Sequence, residues 1–137
     1  MQVRLAMYGV AVCLCLTPLL SAQDPVKVDP KHYTVVSEND QVRILKVHYG
    51  PHEKSVMHSH PASVAVFLTD GKLHFTFPDG KTEVSNVKAG EARYVPAVTH
   101  LPEDQGDKPF ELILVELKSR GGTKVASAKP VAKTNDK

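Results

Sequence analysis

The sequence predicts an all-β fold, a sandwich or small barrel of antiparallel strands. Three observations carry that prediction. Runs of β-forming residues recur at roughly 8–12-residue spacing between residues 33 and 118. Asp-Gly and related turn sequences separate them. Pro51, Pro61, Pro78, Pro96, Pro102 and Pro109 interrupt the windows in which a helix would otherwise run.

The 137-residue chain opens with MQVRLAMYGVAVCLCLTPLLSAQDP. Arg4 is followed by an apolar run from Leu5 to Leu20, then by the small residues Ser21 and Ala22, then by polar QDP. That three-part layout predicts a secretory signal peptide over residues 1–22 and an exported, periplasmic or secreted, protein. The apolar run, about 16 residues, falls short of the roughly 20 that span a bilayer. A retained N-terminal anchor is the alternative, and after cleavage no stable membrane association is expected. Lipid attachment is disfavoured because bulky Val12 and Leu14 precede Cys13 and Cys15. Both cysteines lie in this segment, so the mature chain would have no disulfide, thiol nucleophile or thiolate metal ligand. About 115 residues would remain, enough for one domain with one modest core. Residues 23–32 read as an N-terminal extension to it.

The strands follow in order. QVRILKVHY (41–49) alternates, with Val42, Ile44 and Lys46 on one side and Arg43, Leu45 and Val47 on the other. SVAVFLT (63–69) is nearly continuous β-former and ends at Asp70-Gly71. KLHFTF (72–77) places Leu73, Phe75 and Phe77 on one face and His74 and Thr76 on the other. It ends at PDGK (78–81), a tight-turn sequence in which Gly80 can take positive φ without a steric penalty. TEVSNV (82–87) returns, KAGE (88–91) turns again, and EARYVP (91–96) and FELILVELK (110–118) complete the set. Turns of this kind predict a meander of sequential antiparallel neighbours.

Charge divides unevenly. Residues 23–117 carry 10 Lys and Arg against 14 Asp and Glu, whereas residues 118–137 carry 6 basic residues against one acid. Lacking apolar periodicity and rich in Lys, Ala, Gly and Ser, residues 119–137 read as a disordered basic tail. The tail has no aromatic side chain to stack on bases, which argues against a nucleic-acid partner. There is no G-x-S-x-G elbow, phosphate-cradling glycine loop or dinucleotide fingerprint.

Chemistry concentrates in MHSHPASVAV (57–66). Residues i and i+2 of a strand share a face about 6.5–7 Å apart. His58 and His60 can therefore reach one point, at metal–nitrogen bonds of about 2.0–2.1 Å. From Gly50 to Asp104 the chain resembles the cupin superfamily, small jelly-roll barrels whose two motifs surround a metal. The first motif is matched by Gly50, His58, His60 and Gly71, with Val64 where the family carries a glutamate. Gly90 and Pro96 stand at the separation of the second motif. There Val98 replaces a glycine, His100 comes one residue early, and Asp104 replaces an asparagine.

The resemblance implies a single cupin jelly-roll barrel of antiparallel strands over residues 33–118. It also implies His58, His60 and His100 as ligands of a divalent transition metal, Fe, Mn, Zn, Ni or Cu. Three imidazoles leave coordination positions open to water, substrate or O₂. The implied function is a metal-dependent enzyme of dioxygenase, isomerase or lyase type acting on a small molecule, in a homodimer. The alternative is a non-catalytic small-ligand or metal-binding module. Met57, Val64, His74 and Tyr94 are the candidate pocket residues. Glu103 and Asp104 are expected to orient His100, to sit at the barrel mouth, or to be plain turn residues. His32, His48 and His52 carry no site signal.

Overall fold

The computed structural model describes residues 23–119. The expected signal peptide and all but Ser119 of the expected basic tail lie outside them. Nine strands form two antiparallel sheets, preceded by one helical turn. The turn is α1 (Pro25–Val28), and the strands are β1 (Tyr33–Glu38), β2 (Val42–Tyr49), β3 (His58–His60), β4 (Ser63–Phe67), β5 (Gly71–Thr76), β6 (Thr82–Val87), β7 (Ala92–Val95), β8 (Val98–Asp104) and β9 (Phe110–Leu117). One sheet runs β1-β2-β9-β4-β7 and the other β3-β8-β5-β6.

This order corrects the expected meander. The chain pairs with its immediate successor in β1–β2 and β5–β6, where Gly80 takes φ +81°. Elsewhere it crosses between sheets: the Asp70-Gly71 turn carries β4 of one sheet into β5 of the other, and KAGE carries β6 back to β7. A tight turn brings two strands close in sequence, but it does not decide whether they share a sheet or face one another. Sheet pairing is set by which apolar faces must be buried together. Gly71 shows how close that crossing comes, since a Cβ there would lie 2.4 Å from the Phe110 ring.

Strand β8 was hidden in the sequence by Pro102, which normally argues against a central strand. Here the proline costs little. β3 pairs with Val98–His100 and β5 with Leu101–Asp104, so the two halves of β8 have different named partners. The Pro102 carbonyl still accepts the Ser55 N–H at 2.9 Å.

Alternation then fills the space between the sheets. Leu45, Val47 and Tyr49 of β2, Phe110, Leu112 and Leu114 of β9, and Ala65 and Phe67 of β4 meet Leu73 and Val87 from the other sheet. Residues 23–32 form a strap against this barrel. Asp24 caps α1 by accepting the Val26 N–H at 3.1 Å, and the Gln23 carbonyl accepts the Ser59 N–H of β3 at 2.9 Å.

Leu45 is 0% exposed. We expect Leu45→Ala to lower unfolding free energy by about 2–5 kcal/mol through lost burial and an imperfectly collapsed cavity. Urea denaturation followed by far-ultraviolet circular dichroism checks this; a change below about 1 kcal/mol would mean that β2 does not carry the core.

Candidate metal centre

Two rules of sheet geometry build the centre. His58 and His60 lie two apart on β3 and share its inner face, and antiparallel pairing sets His100 of β8 directly opposite His58. The three rings meet nearly at right angles, with centroids 4.8–5.5 Å apart. One ligand nitrogen from each lies within 4.8 Å of the others. That is close enough for one ion bonded at about 2.0–2.1 Å once the rings adjust slightly.

The outer nitrogens decide what the inner ones present. His58 Nδ1 is 2.7 Å from the Val56 carbonyl oxygen, which can only accept, so Nδ1 carries the proton. His60 Nδ1 donates to the Glu116 carboxylate at 2.7 Å. Glu116 is 2% exposed and its other oxygen accepts Arg43 Nε–H at 2.6 Å. Burial works to raise the Glu116 carboxyl, but its bonds to His60 and Arg43 and their charges hold it below the usual range. With both Nδ1 atoms protonated, the Nε2 atoms of His58 and His60 face each other at 3.0 Å. His100 Nε2 is buried and has no partner among the described residues. Two Nε2 atoms at hydrogen-bond distance and an orphaned third nitrogen form a buried polar cluster that a cation among them would satisfy.

Protons compete poorly for His58 and His100. Burial, then the nearby His60, pushes the His58 imidazole down to about 4. Burial, then His60 and His58, pushes His100 down to about 3. Both are therefore neutral at pH 7, the form that ligates metal. Phe75 stacks on His100 with planes 3° apart, and Tyr33 meets His58 edge-on, so the rings are also held sterically.

Beside the histidines the barrel holds a half-open cavity of about 400 Å³. Its wall includes His60, His100, Phe75, Phe77, Leu112 and Leu114. Of the four expected pocket residues, Met57, Val64 and His74 do not line the wall, and Tyr94 borders the cavity only at its rim, 66% exposed. His74 sits on the opposite face of β5 from Phe75, with Nδ1 3.9 Å from Glu103 Oε2. Val64 is off the wall because Pro61-Ala62 carries the chain from one sheet to the other. Counting from His60 does not preserve the face across that crossing. Ser63, Ala65 and Phe67 resume the buried face, and Val64 joins an outer row in register with Val115 and Tyr94. Glu103 and Asp104 turn elsewhere than to His100: Glu103 lies beside Lys54 and His74, and Asp104 is buried and accepts the Gly106 N–H at 2.9 Å.

Sequence reasoning missed Glu116, although a signal for it was present. In FELILVELK it shares strand parity with Phe110, Leu112 and Leu114, an acid in line with a buried face. Its cross-strand neighbour Arg43 shares parity with Leu45 and Val47. It also missed His32, which is 5% exposed, stacks on Tyr49 and bonds Asp29 and Glu53.

A family model described as a cupin domain matches residues 45–116. The chain belongs to the cupin family. Solved structures agree on this cupin's fold. A cupin domain from Bordetella pertussis Tohama I is 26% identical with a TM-score of 0.60, covering 64% of this chain and 92% of that one. An uncharacterized conserved protein with a double-stranded β-helix domain, from Klebsiella pneumoniae subsp. pneumoniae MGH 78578, is 22% identical with a TM-score of 0.52. That match covers 66% of this chain and 78% of the other. An RmlC-like cupin family protein from Methanocaldococcus jannaschii is 21% identical with a TM-score of 0.52, over 62% and 77% of the two chains. No curated protein matches the chain.

Two outcomes follow for this cupin. An unfolded histidine binds its proton near pH 6.5, and the folded His58 and His100 do so only near 4 and 3. The unfolded state therefore holds more protons below pH 6.5. Stability of the metal-free protein is full above that pH and falls as pH drops toward 4, by up to about 1.4 kcal/mol per pH unit for each histidine. Urea midpoints measured between pH 7 and 4.5 should show this fall, shallower in His100→Leu; parallel curves would overturn it. Val64→Glu should leave metal affinity within about twofold of wild type, since an outward side chain adds only a screened surface charge. A gain of tenfold or more would place position 64 inside the barrel.

Proposed function

We propose that this cupin is an exported protein that holds one divalent transition metal on His58, His60 and His100 and turns over a small, mainly apolar molecule in the adjoining cavity. The observation that carries the metal is the 3.0 Å approach of two Nε2 atoms whose Nδ1 partners are both acceptors. Three neutral imidazoles fit Fe, Mn, Zn, Ni or Cu. When bound, such an ion supplies a Lewis acid of undiminished charge, suited to an anionic or enolate-type oxygen.

The chain's own residues supply the rest. Leu73, Phe75, Phe77, Leu112 and Leu114 give a ligand an apolar bed, with Glu83, Ser85 and Arg93 also on the wall. The cavity volume, about 400 Å³, suits a small molecule rather than a chain or polymer. Ser63 lines that cavity, is 1% exposed, and has a hydroxyl without a partner among the described residues. It is the group placed to hold a ligand's polar atom. Dioxygenase, isomerase or lyase chemistry all suit an open metal position beside such a bed.

A non-catalytic binding module is the second reading. It is favoured by the engagement of both Glu116 oxygens, which leaves that carboxylate unavailable as a base beside the histidines.

Protein purified without a metal-affinity tag should carry close to one transition-metal ion per chain by elemental analysis. His58→Ala and His100→Ala should each lower the content about tenfold or more, and EDTA should lower the wild-type melting temperature. Metal-free wild type whose melting temperature ignores both EDTA and added metal would end the metal reading. Consumption of a compound that raises the melting temperature separates the enzyme from the module.

A further inference from the structure

The family's carboxylate is absent from the inner face of β4, yet a buried carboxylate stands directly behind the site on the neighbouring strand. Ser63 of β4 and Glu116 of β9 are register partners. Glu116 turns to His60 Nδ1 at 2.7 Å, and its second oxygen takes Arg43 Nε–H at 2.6 Å. Arg43 in turn gives an Nη1–H to Asp24 Oδ2 at 2.8 Å. Asp24 belongs to the strap, where its other oxygen caps α1.

We infer that Glu116 is the positioning residue of the metal centre, orienting His60 through Nδ1, and that Arg43 and Asp24 hold Glu116 in turn. The inference rests on the metal reading above. Its physical content is threefold. A carboxylate on Nδ1 fixes the tautomer, so the Nε2 lone pair faces the site. It raises the basicity of that lone pair toward a cation, as partners of ligating imidazoles do. It also returns, one residue further out, the negative charge missing from three neutral ligands. Arg43 occupies the second Glu116 oxygen and so prevents the carboxylate from swinging inward as a ligand. Asp24 ties the far side of Arg43 to the strap, so residues 23–28 belong to the mechanics of the centre although none touches a histidine ring nitrogen in it.

The test uses the chain from residue 23 onward, with Zn²⁺ affinity from chelator competition, the Co²⁺ ligand-field spectrum, and the His60 Nδ1 proton by NMR. Glu116→Gln should weaken Zn²⁺ binding by about 10–100-fold and shift the Co²⁺ bands. The strongly deshielded His60 Nδ1 proton should move upfield. Asp24→Asn, at the solvent end of the relay, should weaken binding less and shift the same proton in the same direction. A folded Glu116→Gln protein with wild-type affinity and Co²⁺ spectrum overturns the inference. If Glu116→Gln does not fold, Asp24→Asn and Arg43→Lys decide it: two wild-type spectra overturn it, and a shift in either supports it. Wild type that binds no metal but shows the deshielded Nδ1 proton would end the metal reading while keeping the Glu116–His60 bond. Wild type that binds metal without that proton does the reverse.

Discussion

Everything in the centre depends on two buried imidazole nitrogens that face each other at 3.0 Å. Carbonyl and carboxylate acceptors hold the outer nitrogens of His58 and His60, so their inner lone pairs converge. In water such rings would rotate or pick up a proton. Here Tyr33 packs against both facing rings and burial makes protonation of His58 expensive, while Phe75 and burial constrain His100 in the same way. The cluster is therefore held in an arrangement that a bound cation would satisfy.

The sheet pattern explains how so small a fold maintains it. β3 has three residues, too few to hold its position alone, and it gains rigidity from β8 on one side and the strap on the other. Asp29 extends the support: it accepts from Ser55, whose hydroxyl also lies 3.4 Å from His58 Nδ1, and it bonds the buried His32 stacked on Tyr49. The centre thus has a polar side built from Asp24, Asp29, Arg43, Ser55 and Glu116 and an apolar side built from Leu73, Phe75, Leu112 and Leu114.

Much of this was legible in residue order, for reasons that differ by feature. Period-2 alternation in QVRILKVHY and FELILVELK named the inward faces of β2 and β9, since a half-buried strand has no other way to satisfy its two sides. His58, His60 and His100 were legible because strand parity and motif spacing act over short distances. Three things were not. The meander failed at turns that cross between sheets. The inward assignment of Val64 failed because the Pro61-Ala62 crossing resets the face. Glu116 escaped because it lies 56 residues from His60 along the chain, and only tertiary pairing of β4, β9 and β2 brings acid, arginine and imidazole together. Its parity with a buried face was the one local hint.

The donor set has a consequence for durability. Residues 23–119 contain no cysteine, so every ligand candidate in the centre is an imidazole nitrogen. Thiolate sites are lost when sulfur climbs from sulfenic to sulfonic acid or closes into a disulfide. Imidazoles have no such ladder under the same conditions. A cluster of nitrogen donors alone would keep those donors under such oxidation without a reductase or thiol pool.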